Sequence, residues 1–274
     1  MSTTDKQFTG SIPEVYDQYL VPLIFEPYAR DIAARLAGAE PRDVLGDVLE
    51  TAAGTGVLTR AITARLASGV RVVATDLNLP MLDMAAARQP AGASVVRRQA
   101  DALALPFNAH QFDAVVCQFG VMFFPDKVLG YREARRVLKP AGVFIFNVWD
   151  RISENDFADV VTDALKEVFP RDPPNFMART PHGYFDVTKI REELGAAGFS
   201  SVSVATVDHT SKAASAGDVA IAYCQGTPLR NEIVTRDAAR LEEATQRSAE
   251  ALARKFGAGP IEGRIRAHVI TAIR

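Results

Sequence analysis

The residues best suited to chemistry gather at one turn. Leu49-Glu50-Thr51-Ala52-Ala53-Gly54-Thr55-Gly56 links an apolar, strand-like segment to an amphipathic, helix-like one. Glycines at a strand-to-helix turn let a ligand approach the backbone closely. Glu50 ends the apolar segment just before the turn. A carboxylate there sits poorly beside a pyrophosphate but suits a ligand with a cationic amino-acid moiety. Gly54-x-Gly56-x-x-Thr59 nearly matches the dinucleotide fingerprint, yet Thr59 stands where Gly or Ala normally allows close helix packing. The remaining chain is also short for a second, substrate-binding domain. An NAD(P)-dependent oxidoreductase is therefore the alternative reading, and a tight turn without a ligand is the bland one.

Other polar residues fall at strand ends. Asp76 closes the next apolar segment, where its carboxylate can cap the helix that begins near Pro80. Asp101 taken alone is a turn residue. Of the four histidines, His110 lies in a loop, and His209 and His268 lie in or beside strand-like segments and read as structural. His182, in Pro181-His182-Gly183-Tyr184, is the candidate general base, because an untuned imidazole titrates near neutrality. Tyr184, Tyr223 and Gln225 are candidate pocket residues. Cys117 and Cys224 are far apart and lack metal-type spacing, so they read as buried free thiols in a reducing, cytoplasmic compartment. No His/Cys/Asp cluster suggests a metal, and no Gly-x-Ser-x-Gly elbow suggests a hydrolase.

Alternating elements must position these residues. Strands are predicted over 43–50, 71–76, 94–99, 112–118 and 143–149, and helices over 56–67, 80–88 and 127–138. That rhythm means βαβ units and a doubly wound, mostly parallel sheet. Residues 1–10 read as a disordered arm. Residues 12–36 form helices divided by Pro13, Pro22 and Pro27, the last starting a helix that Gly38 caps. Lys139-Pro140-Ala141-Gly142 stops a helix and reverses the chain. Beyond Trp149 the pattern predicts helices over 155–169, 187–197, 216–225 and 236–256, a loop over 171–180, and strands over 201–208 and 264–273. Glu243/Arg247 and Glu250/Arg254 are spaced as i,i+4 pairs. The fold class is α/β, a seven-stranded Rossmann-like sheet with an N-terminal helical cap and a helical insertion before the last strand. The organisation is one domain: arm and cap helices over 1–42, core over 43–150, helices and sixth strand over 151–210, a candidate lid over 211–260, and a last strand over 261–274.

Composition limits the partners. With 31 basic and 33 acidic residues in 274, the net charge is −2, so no basic excess points to nucleic acid. No signal peptide or membrane span is evident. A homo-oligomer is compatible with the sequence.

The segment Glu50 to Gly56 resembles the first motif of class I S-adenosylmethionine-dependent methyltransferases, an acidic residue followed by G-x-G-x-G, with Ala52 in place of the first glycine. Further markers follow in register: Asp76, then Asp101-Ala102, then Gln118-Phe119-Gly120-Val121-Met122-Phe123-Phe124, then a turn similar to L-x-P-G-G at 138–142. The resemblance is nearest to the ubiquinone- and menaquinone-biosynthesis methyltransferases. It implies S-adenosylmethionine as cofactor and S-adenosylhomocysteine as product. It also implies cofactor contacts from Glu50, Thr51, Ala52, Gly54, Thr55 and Gly56, ribose contacts at Asp76, and adenine contacts at Asp101 and Ala102. Leu77, Met81, Gln118, Phe119, Gly120 and Phe123 complete the implied shell, and Tyr16 would cover the cofactor from an N-terminal aromatic helix. The implied reaction is in-line methyl transfer to a small, partly apolar acceptor. A binding protein of the same fold without catalysis is the other alternative.

Overall fold

The computed structural model describes residues 3–38, 46–66, 69–92 and 94–274. In chain order its elements are α1 (Ile12–Val15), α2 (Glu26–Ala37), β1 (Asp47–Thr51), α3 (Val57–Arg65), β2 (Arg71–Asp76), α4 (Leu79–Arg88), β3 (Val95–Gln99), β4 (Phe112–Gln118), α5 (Lys127–Val137), β5 (Leu138–Trp149), α6 (Asp156–Val168), α7 (Phe176–Arg179), α8 (Val187–Ala196), β6 (Ser201–Ala213), α9 (Ala216–Gln225), α10 (Leu229–Asp237), α11 (Leu241–Phe256) and β7 (Ile261–Ile273). The strands form one seven-stranded sheet in the order β3-β2-β1-β4-β5-β7-β6. β1 pairs in parallel with β2 and β4, β2 with β3, and β4 with β5. The doubly wound α/β reading is therefore correct. β1, β2 and β4 are almost wholly buried, as a sheet covered on both faces requires.

The chain divides into two compact units. One comprises Glu26–Val148, Phe185–Val207 and His268–Arg274. Its core joins Ile32 and Leu36 of α2, Leu58 and Ile62 of α3, and Val48, Val72, Val116 and Ile145 of the strands. The helix starts are local: Asp126 accepts the Leu129 N–H at 2.9 Å ahead of α5, and Asp186 accepts the Thr188 N–H at 2.9 Å ahead of α8. The other unit comprises Met1–Phe25, Trp149–Tyr184 and Asp208–Ala267. Here α11 packs on α6 and α9, burying Phe157, Val161, Val219, Tyr223 and Leu252. The candidate lid over 211–260 thus contains helices that share a core with α6 rather than forming a detached flap.

Several expectations are corrected. Residues 1–10 are not a free arm throughout: Thr3–Lys6 forms a 3₁₀ turn, and buried Asp5 pairs with Arg179 at 2.6 Å and accepts the Thr180 hydroxyl at 3.0 Å. Tyr16–Phe25 coils as a wide π-helix with Pro22 inside it. A wider turn keeps the preceding carbonyls away from the proline ring. The helix expected over 236–256 is broken by a 3₁₀ turn at Ala238–Arg240, where Asp237 accepts the Ala239 N–H and restarts the chain. The expected i,i+4 pairs on α11 give way to i,i+3 pairs, Arg240–Glu243 and Arg247–Glu250. The loop over 171–180 contains α7. Both late strands run longer than expected. The starts expected at 43–45 and the helix end at 67 lie outside the described residues.

Lys139-Pro140-Ala141-Gly142 lies within β5 as a bulge and not as a free reversal. Phe112 faces Leu138 while Ala114 faces Val143, so β5 spends extra residues there. Ala141 takes φ +63° at an exposed position. An L-residue in that region costs roughly 1–2 kcal/mol. Ala141→Gly is therefore expected to raise stability by up to about 1 kcal/mol, read as a higher melting temperature; an unchanged or lower value would count against strain at this bulge.

Candidate functional site

The ends of β1, β2 and β4 meet around the glycine loop. Ala52, Gly54 and Gly56 all take positive φ, at +53°, +55° and +79°. The turn is pinned at several points: Ala53 N–H donates to the Thr75 carbonyl at 2.9 Å, and Gly56 N–H to the Ala53 carbonyl at 2.9 Å. Gly54 N–H donates to Asp76 Oδ2 at 2.9 Å. Asp76 Oδ1 accepts the Asn78 N–H at 2.8 Å. Burial raises the Asp76 carboxyl, and these donors pull it back down.

Glu50 is turned inward and is 1% exposed. Its Oε2 is bonded to the Thr59 hydroxyl on the first turn of α3. Thr59 was read only as a departure from the dinucleotide fingerprint. Its partner is the motif's own acid, which explains why no Gly or Ala stands there. Burial pushes Glu50 up to about 8; the Thr59 bond lowers it, nearby Asp76 raises it, and Arg60 and Arg97 lower it. Glu50 therefore lies beneath the turn with its proton retained near neutrality, and not as the charged partner of a cationic ligand that the sequence suggested.

The remaining predicted residues fall into place unevenly. Thr51 is buried at the end of β1. Thr55 is buried too, and among the described residues its hydroxyl has no hydrogen-bond partner. Leu77 is 43% exposed and neighbouring Leu79 50%, whereas Met81 is buried. Asp101 is exposed, and its Oδ1 accepts the Leu103 N–H at 2.9 Å, an Asx turn beside Ala102. After β4, Gln118, Phe119 and Gly120 are buried and Phe123 is half-buried. Phe119 takes φ +50°, and its N–H donates to Asn147 Oδ1 at 2.9 Å. Asn147 was missed, although a lone amide inside the apolar run 143–149 was a signal. A positive-φ cradle, a carboxylate on β2, exposed leucines beside it and an orphaned hydroxyl at the turn fit S-adenosylmethionine.

Tyr16 and His182 belong to the other unit. There Tyr16 stacks on Phe25 at 5.1 Å, Phe25 meets Trp149 at 6.1 Å, and Trp149 meets His182 at 5.9 Å between ring centroids. His182 Nδ1 lies 2.9 Å from the Asp150 carbonyl, and burial lowers the imidazole to about 4. Tyr184 and Tyr223 are buried, and Gln225 Nε2 donates to Thr245 at 3.2 Å. His268 bonds Thr206 at 3.0 Å and lies in β7; His209 lies in β6. Cys117 and Cys224 are free and buried. Among the described residues no group of His, Cys, Asp or Glu is placed to hold a metal, and no helix is long and apolar enough to cross a membrane.

The Glu50 geometry gives a signed pH dependence. Between about pH 4.5 and 8 the folded chain holds a proton that the unfolded chain has released. Stability therefore falls as pH rises through that window, by up to roughly 1.4 kcal/mol per pH unit. Glu50→Gln removes the titration. Urea midpoints near pH 5 and pH 8 should drop more for wild type than for the variant; equal drops would refute the assignment.

Comparison with known proteins agrees with this geometry. Residues 49–146 match the model of a methyltransferase domain family. The demethylmenaquinone methyltransferase of Deinococcus radiodurans is 35% identical over 147 residues, covering 53% of this chain and 58% of the relative. That of Mycobacterium sp. strain JLS is 32% identical over 184 residues, covering 64% of this chain and 75% of the relative. A solved phosphoethanolamine N-methyltransferase 2 of Haemonchus contortus, in complex with S-adenosyl-L-methionine, shares the fold at TM-score 0.61 and 15% identity, over 100% of this chain and 60% of that one. The chain belongs to the class I S-adenosylmethionine-dependent methyltransferases of the quinone-biosynthesis type.

Proposed function

We propose that this methyltransferase acts in the cytoplasm on a small, partly apolar aromatic acceptor of the reduced-quinone kind, and not on nucleic acid. The observation that carries the cofactor assignment is the left-handed turn at 52–56, braced by Asp76 and underlain by Glu50. The acceptor class is supported by the relatives, which are demethylmenaquinone methyltransferases. The near-neutral charge balance supports the exclusion of nucleic acid.

Bound at this turn, S-adenosylmethionine would supply an electrophilic methyl carbon: one bond would form from the acceptor to that carbon as its bond to sulfur breaks, with S-adenosylhomocysteine leaving and one proton lost from the acceptor. Backbone N–H groups and the Thr55 hydroxyl would hold the amino-acid end, Asp76 the ribose, and Asp101, Ala102, Leu77 and Met81 the adenine. Gln118, Phe119, Gly120 and Phe123 close the methyl end against water, where orientation is worth several kcal/mol, up to about 7–11 in the best cases.

His182 is the base in this reading. With Nδ1–H donated to the Asp150 carbonyl, the basic nitrogen is Nε2. Its lowered pKa keeps it neutral at pH 7. At about 4 it is a weaker base than the untuned imidazole expected from the sequence, so it would take a phenolic proton only with the imidazolium stabilised in the closed site.

Calorimetric titration with S-adenosylhomocysteine should give binding on the order of micromolar Kd (about −8 kcal/mol), weakened at least about tenfold by Asp76→Ala and absent for NADH. Binding of NADH instead would restore the oxidoreductase alternative. With a reduced naphthoquinone acceptor, His182→Gln should lower kcat on the order of 10²-fold while leaving the S-adenosylhomocysteine Kd unchanged. Unchanged kcat would remove His182 from the mechanism.

A further inference from the structure

Strand β5 is a buried apolar run with one polar interruption near its end. Asn147 is 0% exposed, flanked by Phe146 and Val148 and in register with Gln118 of β4. Its Oδ1 accepts the Phe119 N–H. That bond fixes the orientation of the amide, so Nδ2 is a buried donor, and among the described residues it has no partner. The residue that Asn147 holds is itself in a left-handed conformation, φ +50°. A buried unpaired donor and a left-handed aromatic residue, joined by one hydrogen bond, are two separate costs at one place.

The loop so held has little room to move. A Cβ on Gly120 would lie 2.5 Å from the Ala52 Cβ and 2.6 Å from the Cys117 Sγ. The chain after β4 therefore rests directly on the turn after β1, at a residue that is also left-handed. Displacing one loop displaces the other. On its far side, the Phe119 ring packs edge-on against Tyr28 at 5.3 Å, and the Tyr28 hydroxyl donates to the Val207 carbonyl at 3.0 Å.

We propose that Asn147 is a positioning residue for the cofactor: by capturing the Phe119 N–H it holds Gln118–Gly120 against Ala52 in the shape that the methyl end of the site requires. The inference rests on the cofactor lying along these two loops. Asn147 acts through Phe119.

The test is calorimetric titration with S-adenosylhomocysteine, with melting temperature recorded alongside, on Asn147→Ala, Asn147→Asp, Phe119→Gly and the Asn147→Ala/Phe119→Gly double variant. Asn147→Ala should weaken binding on the order of tenfold, the value of one lost buried hydrogen bond. Asn147→Asp keeps an acceptor for the Phe119 N–H and should recover most of that affinity. Glycine adopts positive φ freely, so in the Phe119→Gly background the Asn147→Ala change should alter Kd by less than about threefold. A purely structural role would lower the melting temperature without this pattern in Kd. Wild-type affinity in Asn147→Ala, or an equal loss in both backgrounds, overturns the proposal. If the alanine variant does not fold, Asn147→Leu replaces it, and equal affinities in the Leu and Asp variants overturn the proposal. Wild-type protein that binds no S-adenosylhomocysteine would instead overturn the cofactor reading beneath it.

Discussion

Asp76 accepts the Gly54 N–H across the gap between β2 and the β1 turn. A carboxylate kept inside a protein needs such donors, because solvent no longer supplies them. Much else follows from that bond. Gly54 must take positive φ to aim its N–H at the acid, and the parallel register Thr51↔Thr75 must hold so that Asp76 emerges beside the turn. A slip of one residue would send the acid to the opposite face. Asn78 satisfies the other oxygen from the start of α4, so the helix, the strand and the loop share one anchor.

Glu50 lies under the same turn and obeys a different rule. Its partner is a hydroxyl from Thr59. Two neighbouring buried acids avoid sharing two negative charges when one keeps its proton. Here the donors sort them: the acid surrounded by N–H groups is the better placed to ionise, and the acid facing a threonine is the better placed to stay neutral. The two acids at this turn are thus held in different ways, Asp76 by N–H donors and Glu50 by a hydroxyl beneath.

Much of the sheet and the anchors was legible in advance. Alternation of valine-rich segments with amphipathic ones marked the parallel strands, and the order Glu50, Asp76, Asp101, Gln118 marked their carboxyl ends. What escaped was whatever depends on a distant partner. Thr59 carries no local sign of its bond to Glu50. Asn147 stood out as an amide in an apolar run, but nothing local named Phe119 as its partner. Lys139-Pro140-Ala141-Gly142 has turn composition, and only pairing with β4 makes it a bulge within a strand. Pro22 signalled a break, whereas the chain accommodates it by widening the helix. Asp5 is polar and near a terminus, so nothing short of its ion pair with Arg179 places it inside.

The strand order carries a consequence for how the chain is made. β7 lies between β5 and β6, yet it leaves the ribosome after both. The sheet from β3 to β5 can assemble as it emerges, through parallel pairings of neighbouring segments. β6 cannot join it, because the place beside β5 is reserved for a strand not yet synthesised. Through the translation of α9, α10 and α11, the thirteen residues of β6 wait as an unpaired edge. Completion of the sheet is therefore an insertion and not an extension, and the interval before it is when the nascent chain is most open to mispairing.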